Sequence, residues 1–227
     1  MIKDIFSYFF DSDKSVYRKA YNSSLRDWLI YHHREIVFDK MYWRGTKILK
    51  NPLDLWIYQE LIHKIKPEII VEIGSANGGS TKYLADLCEL EGLGKVISID
   101  ISRENYRVSH QRIIEFTGDS LSSDIVEQVK KECKNKTTLV IHDADHSETS
   151  VFDNLKTYSD IVTIGSYFIV EDGIIDLFNQ KESIGGHNGP LKAINRFVKE
   201  NKNFEIDKAC ERYILTYNPK GFLLRVK

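Results

Sequence analysis

The chain has 227 residues, 42% hydrophobic and 29% charged, enough for one domain with a substantial core. A net charge of −1 gives no electrostatic ground for a nucleic-acid partner, and four prolines and thirteen glycines exclude a collagen-like or low-complexity chain. Cys88, Cys133 and Cys210 are too few and too scattered for a disulfide frame or a zinc ribbon, and predict reduced thiols in a cytoplasmic protein.

The opening "MIKDIFSYFF" carries Asp4 within a short apolar stretch and lacks a small-residue cleavage site, so it does not read as a secretory signal. No stretch approaches the roughly 20 apolar residues of a membrane span. Phe6, Tyr8, Phe9 and Phe10 are expected to pack on the body or on a sister subunit rather than on a membrane surface, which leaves room for a homo-oligomer. Residues 1–50, rich in charge and aromatics, predict short helices and a loop, forming an N-terminal extension or cap. Residues 51–227 are expected to form the main domain.

"NPLDLWIYQELIHKI" is a predicted helix. Asn51 can cap it, Pro52 suits its first turn, and Leu53, Ile57, Leu61 and Ile65 share one face. After Pro67 strands and helices alternate. The strands are "EIIVEIG", "KVISID", "RIIEFTGD", "TTLVIHD" and "SYFIVED", then "FEIDKA", "YILTY" and "GFLLRVK". The helices are "GSTKYLADLCELEG", a polar helix around residues 103–111, "SDIVEQVKKECK", "TSVFDNLKTYSDIV" and "GPLKAINRFVKEN". This alternation predicts a mostly parallel sheet with helices on both faces. "YILTY" and "GFLLRVK" are joined by the turn "NPKG", too short for a helical crossover, so one of them should run antiparallel.

Ligands of such sheets bind beyond the carboxyl ends of the strands, where polar residues collect here. "VEIGSANGGST" lets backbone approach a ligand through Gly74, Gly78 and Gly79. It is not a P-loop, because Ser80 stands where the lysine belongs, and not G-x-G-x-x-G, because Ala76 replaces a glycine. Glu72 before the loop would repel a pyrophosphate and suit a cation. S-adenosylmethionine, with a sulfonium and an amino group, meets that demand, and Asp100 can accept from its ribose. A ligand-free turn would leave Glu72 and Asp100 unexplained.

Asp143, Glu171 and Asp172 end two strands expected to be neighbours. Unpartnered, they would cost several kcal/mol or protonate. Mg²⁺, or Mn²⁺ or Ca²⁺, would neutralise them, and salt bridges to Lys or Arg are the alternative. His146 is a candidate general base, with a helix-capping or supporting role as the other reading. Asp145 either orients His146 or caps the following helix, and His142 is expected to pack or hydrogen-bond within its strand.

Taken in order, "WRGTKILKNPLDLWIYQELIHKIKPEIIVEIGSANGGST", "ISIDI", "HDADHS", "GSYFIVED" and "GPLKAINRF" resemble the cephalosporin hydroxylase family. The resemblance implies a Rossmann-like class I methyltransferase fold: seven mostly parallel strands with one antiparallel, helices on both faces, and an N-terminal helical extension. It implies a metal-dependent O-methyltransferase acting on a small-molecule hydroxyl, such as a sugar of a natural product or surface glycan. It places Glu72, Gly74, Gly78 and Asp100 at the cofactor, with Ser75, Ser80 and Ile101 beside them. Asp119 and Ser120 fall near adenine. Asp143, Glu171 and Asp172 fall at the metal, Asp143 also touching the cofactor, and His146 where related enzymes carry a basic residue. Trp43, Arg44, His146 and His187 are candidate acceptor contacts, with "GGHNGP" as a lid or a surface turn. His142 departs from the aliphatic residue expected there, and the region before Trp43 matches nothing in the family.

The expected reaction is in-line methyl transfer, with Mg²⁺ (or Mn²⁺) on the acceptor oxygen and His146 taking its proton. Two other classes compete. One is an Fe(II)/2-oxoglutarate hydroxylase using His146, Glu148 and a distant histidine. The other is a non-catalytic cofactor-binding protein of a biosynthetic cluster.

Overall fold

A computed structural model describes residues 22–178 and 189–227. The Phe6–Phe10 aromatic cluster and His187 lie outside the described residues. Helix α1 (Leu25–Glu35) is started by Ser24, whose hydroxyl accepts from Asp27 N–H while the Asp27 carboxylate accepts from Ser24 N–H. A two-stranded antiparallel ribbon follows, β1 (Tyr42–Trp43) and β2 (Thr46–Lys47), where short helices and a loop were expected. It reverses at Arg44 and Gly45, both at positive φ. Asn51 caps α2 (Pro52–Ile65) by accepting from Leu53 N–H.

The main body alternates as the pattern predicts: β3 (Ile69–Ile73), α3 (Gly79–Leu90), β4 (Lys95–Asp100), β5 (Ile113–Thr117), α4 (Ser123–Cys133), β6 (Thr138–His142), α5 (Glu148–Tyr158), β7 (Tyr167–Val170), α6 (Pro190–Glu200), β8 (Phe204–Ile206) and β9 (Phe222–Arg225). One seven-stranded sheet runs β5-β4-β3-β6-β7-β9-β8. β9 alone runs opposite to the other six strands. The chain leaves β3 toward β4 and β5, then returns to β6 on the other side, so strand order reverses beside β3.

The pleat sorts the core into two layers. Ile69, Val71 and Ile73 pack with Val129, Leu155 and Phe197. Ile70 packs oppositely, with Ile62, Leu84 and Phe222. The even positions of β3 therefore face α2 and α3, which decides where Glu72 points. A third cluster joins Ile30 and Val37 to Ile174, Ile175, Phe178 and Tyr217, seating the extension over the carboxyl end of the sheet.

Two predicted elements are corrected. "YILTY" is not a strand. Ile214 has φ 66°, and Asp54 of α2 takes the Tyr217 N–H at 2.8 Å, a donor that a ladder would need, together with the Thr216 hydroxyl at 2.6 Å. Residues 103–111 are not helical either. They offer one buried anchor, Tyr106, instead of an apolar stripe, and Arg103 ties the segment down by donating to the carbonyls of Ser98 (2.6 Å) and Phe116 (2.9 Å). Farther on, the Asp176 carboxylate accepts from the N–H groups of Gly189 (2.7 Å) and Leu191 (2.8 Å), capping α6 from across the 179–188 connection. Among the described residues no helix is long and apolar enough to cross a membrane.

Candidate active site

The loop between β3 and α3 sits tightly on the end of β6. Gly74 has φ +90°, and a Cβ there would overlap the Asp143 carbonyl. At Gly79 a Cβ would overlap the Lys47 carbonyl, so the ribbon closes on the same loop. Asp100 holds the loop from the neighbouring strand. Its Oδ2 accepts from Ser75 N–H and Ala76 N–H, both at 2.8 Å, and its Oδ1 from Ser102 N–H at 3.1 Å. Burial pushes the Asp100 pKa up, but these donors and Arg103 outweigh it, and the carboxyl lies below its ordinary value.

A cleft of about 390 Å³ opens beyond β3, β4 and β6. Of the residues expected at the cofactor, Gly74, Ser75, Asp100, Ile101, Asp119, Ser120 and Asp143 all border it. Asp119 is fixed by Leu121 N–H (2.9 Å), and Ser120 donates to Asn154 (2.8 Å). Glu72, Gly78 and Ser80 do not border it. Glu72 faces α3 instead, 0% exposed, accepting from the Thr81 hydroxyl at the positive end of that helix. Its Oε1 has no partner, and burial raises its pKa.

Asp143, His146 and Asp172 can each bring one ligand atom within 4.8 Å of the others. His146 Nε2 lies 3.3 Å from Asp172 Oδ2. Asp172 has φ 57°, a left-handed conformation that costs a non-glycine residue about 1–3 kcal/mol, and its N–H donates to Asn218 at 3.1 Å. Burial raises the Asp172 pKa to about 6, with Asp143 adding to the rise and His146 opposing it. Asp145 is engaged by Ser147, which caps α5, and His142 is fully buried with neither ring nitrogen partnered.

Glu171, expected beside these groups, is turned toward Lys50, which sequence reading did not single out. Lys50 is 3% exposed and donates to Asp143 Oδ2 and, at 2.8 Å, to Glu171 Oε1. Burial works against its charge, but Asp143, Glu171 and Glu72 hold its pKa above the ordinary value. Burial drives the Glu171 pKa well up despite Lys50. Of the sequence, only the single lysine just before the "NPLD" helix start marked this group.

A second cavity, about 250 Å³, adjoins the first at Asp143 and Ala76. One wall is Asp143, His146 and Asp172. The other comes from α1 and the segments packed on it, with His33, Val37, Phe38 and Tyr217. The acceptor contacts expected at Trp43 and Arg44 lie elsewhere: both donate to Asp86 of α3, at 2.7 and 2.9 Å, and neither borders either cavity. Among the described residues the one candidate metal cluster has a single histidine and does not include Glu148, so it does not form the two-histidine, one-carboxylate set of an iron hydroxylase.

A seven-stranded sheet with this order, one antiparallel strand and an acid-rimmed cleft at the strand-order reversal defines a Rossmann-like class I methyltransferase fold. It superposes on a CmcI structure described as Mg-SAM with TM-score 0.66 and 24% identity, covering 84% of this chain and 78% of that one. A CmcI structure described with SAH gives 0.65 at 22% identity, covering 96% and 94%. The family model for rhamnosyl O-methyltransferase/CmcI matches residues 35–226, and the chain belongs to that family. Relatives named rhamnosyl O-methyltransferase include one from Mycobacterium leprae (strain TN), 29% identical over 218 residues, 92% of this chain and 93% of that protein. Another, from Mycobacterium tuberculosis (strain ATCC 25618 / H37Rv), is 27% identical over 203 residues, 86% and 82%.

Proposed function

We propose that the protein transfers the methyl group of S-adenosylmethionine to a hydroxyl of a sugar, assisted by Mg²⁺ or Mn²⁺. One observation carries the reading: Asp143 borders the cofactor cleft, the acid–imidazole cluster and the second cavity at once. A methyl donor and a hydroxyl on a cation would meet at that residue. The donor set fits both guests. Asp100, Asp119, Asp143 and Asp145 border the cleft and, among the described residues, no Lys or Arg does, which suits a phosphate-free, positively charged cofactor. Asp143 and Asp172 offer hard oxygen ligands that suit Mg²⁺ or Mn²⁺, which leaves the adjacent His146 imidazole free to act as a base. The names of the relatives support a sugar acceptor.

When bound, the cofactor supplies an electrophilic methyl group and the cation supplies Lewis acidity toward an oxygen. Asp100 holds ribose hydroxyls with the lone pairs its backbone donors leave free. Asp119 and Ser120 bound the adenine end. Asp143 and Asp172 would hold the cation, with Glu171 supporting Asp143 through Lys50. His146 takes the hydroxyl proton at Nε2, beside Asp172, which stabilises the imidazolium that forms. The loop fixed by Gly74 and Asp100 holds the two reactants in line, an effect worth up to about 7–11 kcal/mol. Three buried free thiols support a reducing, cytoplasmic location.

The test is transfer of label from S-adenosyl-[methyl-¹⁴C]methionine to a panel of rhamnosides and other hexosides, with and without EDTA. Cation-dependent labelling of a sugar hydroxyl is expected. A protein that does not bind S-adenosylhomocysteine in calorimetry would end the reading.

A further inference from the structure

Lys50 reaches the acid cluster from a fixed point. Its neighbour Asn51, 1% exposed, accepts from Leu53 N–H at 3.1 Å and donates to the Leu215 carbonyl at 2.7 Å. On the other side the backbone of Lys47 and Ile48 lies against Gly79 of the cofactor loop. A buried lysine held in this way has lost the rotamer freedom of a surface one, so the position of its ammonium is part of the architecture.

That ammonium divides the carboxylate oxygens unequally. It takes Asp143 Oδ2 and Glu171 Oε1, and among the described residues no hydrogen bond reaches Asp143 Oδ1. Glu171 is buried, borders neither cavity and does not join the cluster of Asp143, His146 and Asp172. The Tyr58 hydroxyl accepts from Asn218 at 2.9 Å, which leaves its own proton for Glu171. Ligand number decides which divalent ion such a site prefers. Ca²⁺ gathers about six to eight oxygens and takes both oxygens of one carboxylate, whereas Mg²⁺ needs octahedral geometry, keeps several waters and is held by one or two carboxylates. With Oδ2 on Lys50, Asp143 offers a cation one oxygen. With Glu171 turned to the same ammonium, the third carboxylate of the rim is withdrawn.

Resting on the methyl-transfer reading, we infer that Lys50 is the positioning residue that sets the cation preference of the site. By holding one oxygen of Asp143 and one of Glu171, it limits the protein's ligands to Asp172 and a single oxygen of Asp143, and so selects Mg²⁺ or Mn²⁺ over Ca²⁺. Glu171 is the anchor of Lys50 and not a metal ligand.

The test uses the full-length protein with saturating S-adenosylhomocysteine and no acceptor, so binding is read without turnover. Mn²⁺ is followed by the EPR signal of the free ion, and Mg²⁺ and Ca²⁺ are titrated as competitors. In the unaltered protein Mg²⁺ should displace Mn²⁺ at a concentration at least about tenfold below that of Ca²⁺. Lys50→Met frees both carboxylates and should raise the affinity for Ca²⁺ relative to Mg²⁺ about tenfold. A change of net charge alone would tighten both ions alike, and damage to the fold would weaken both, so neither moves the ratio. Glu171→Gln should lower Mn²⁺ affinity by less than about tenfold, and Asp172→Asn by at least about a hundredfold. The inference is overturned by Ca²⁺ competing as well as Mg²⁺ in the unaltered protein, by an unchanged ratio in Lys50→Met, or by Glu171→Gln harming Mn²⁺ binding as much as Asp172→Asn. The first and third of these do not depend on Lys50→Met remaining folded. An unaltered protein that does not bind S-adenosylhomocysteine would instead sink the methyl-transfer reading.

Discussion

The Lys50 ammonium lies 2.8 Å from Glu171 Oε1 and donates to Asp143 as well, so one lysine joins the ends of β6 and β7 from beneath. Removing one partner of a buried pair leaves the other charge uncompensated, at about 3–5 kcal/mol. Lys50→Met should therefore lose about that much stability in urea denaturation with EDTA present. Mg²⁺ should return part of the loss, because a cation beside Asp143 offsets the missing ammonium. A variant as stable as the parent in EDTA would show that the pair contributes nothing.

In the proposed mechanism the cofactor and the cation would meet at Asp143 but rest on different groups. Asp143→Asn should reduce methyl transfer by at least about a hundredfold while S-adenosylhomocysteine affinity stays within a few-fold. EDTA should reproduce the loss in the unaltered protein, and Mg²⁺ or Mn²⁺ should reverse it. Initial rates and calorimetry read the two effects separately, and a parallel fall of both would contradict the division.

The contact between Gly74 and the Asp143 carbonyl leaves no room for a methyl group. Gly74→Ala combines that overlap with an unfavourable φ, so it should cost on the order of 3 kcal/mol. The loop shift should also weaken S-adenosylhomocysteine binding more than Asp143→Asn does. Thermal melting and calorimetry on the two variants check the order.

Burial, followed by His33, pushes the His32 pKa down to about 4. Burial, followed by His146 and Arg34, does the same to His33. Unfolded, both return to about 6.5. Between these values the unfolded chain binds more protons than the folded one, so stability is complete above about pH 6.5 and falls as pH drops toward 4. Each histidine contributes up to about 3 kcal/mol to that fall. Denaturant midpoints from pH 7 to 4 should show it, and His33→Phe should flatten the curve.

Sequence reading succeeded where one local pattern dictates one outcome. Buried five-residue runs such as Ile69–Ile73 can only be interior strands, and the acids that follow them had to gather at one rim. It failed where a distant partner decides. Asp54 takes the backbone N–H of Tyr217 away from any ladder, a relationship across 163 positions. Trp43 and Arg44 are candidate acceptor contacts by sequence, but Asp86 draws both to α3. Glu72 stands at the strand end as expected, yet the pleat turns it away from the cleft and under the helix. Lys50 and His33 carry no local signature. Both sit in polar-looking stretches, and only the folding of the extension onto β6 and β7 makes them interior.

Asp176 grips the backbone at Gly189 and Leu191 from the near side of a connection that spans residues 179–188. Because one carboxylate anchors both shores, the length of that connection is uncoupled from the alignment of the sheet behind it. A change of length between residues 178 and 189 should therefore leave the start of α6, and the rim of the sheet it packs on, where they are.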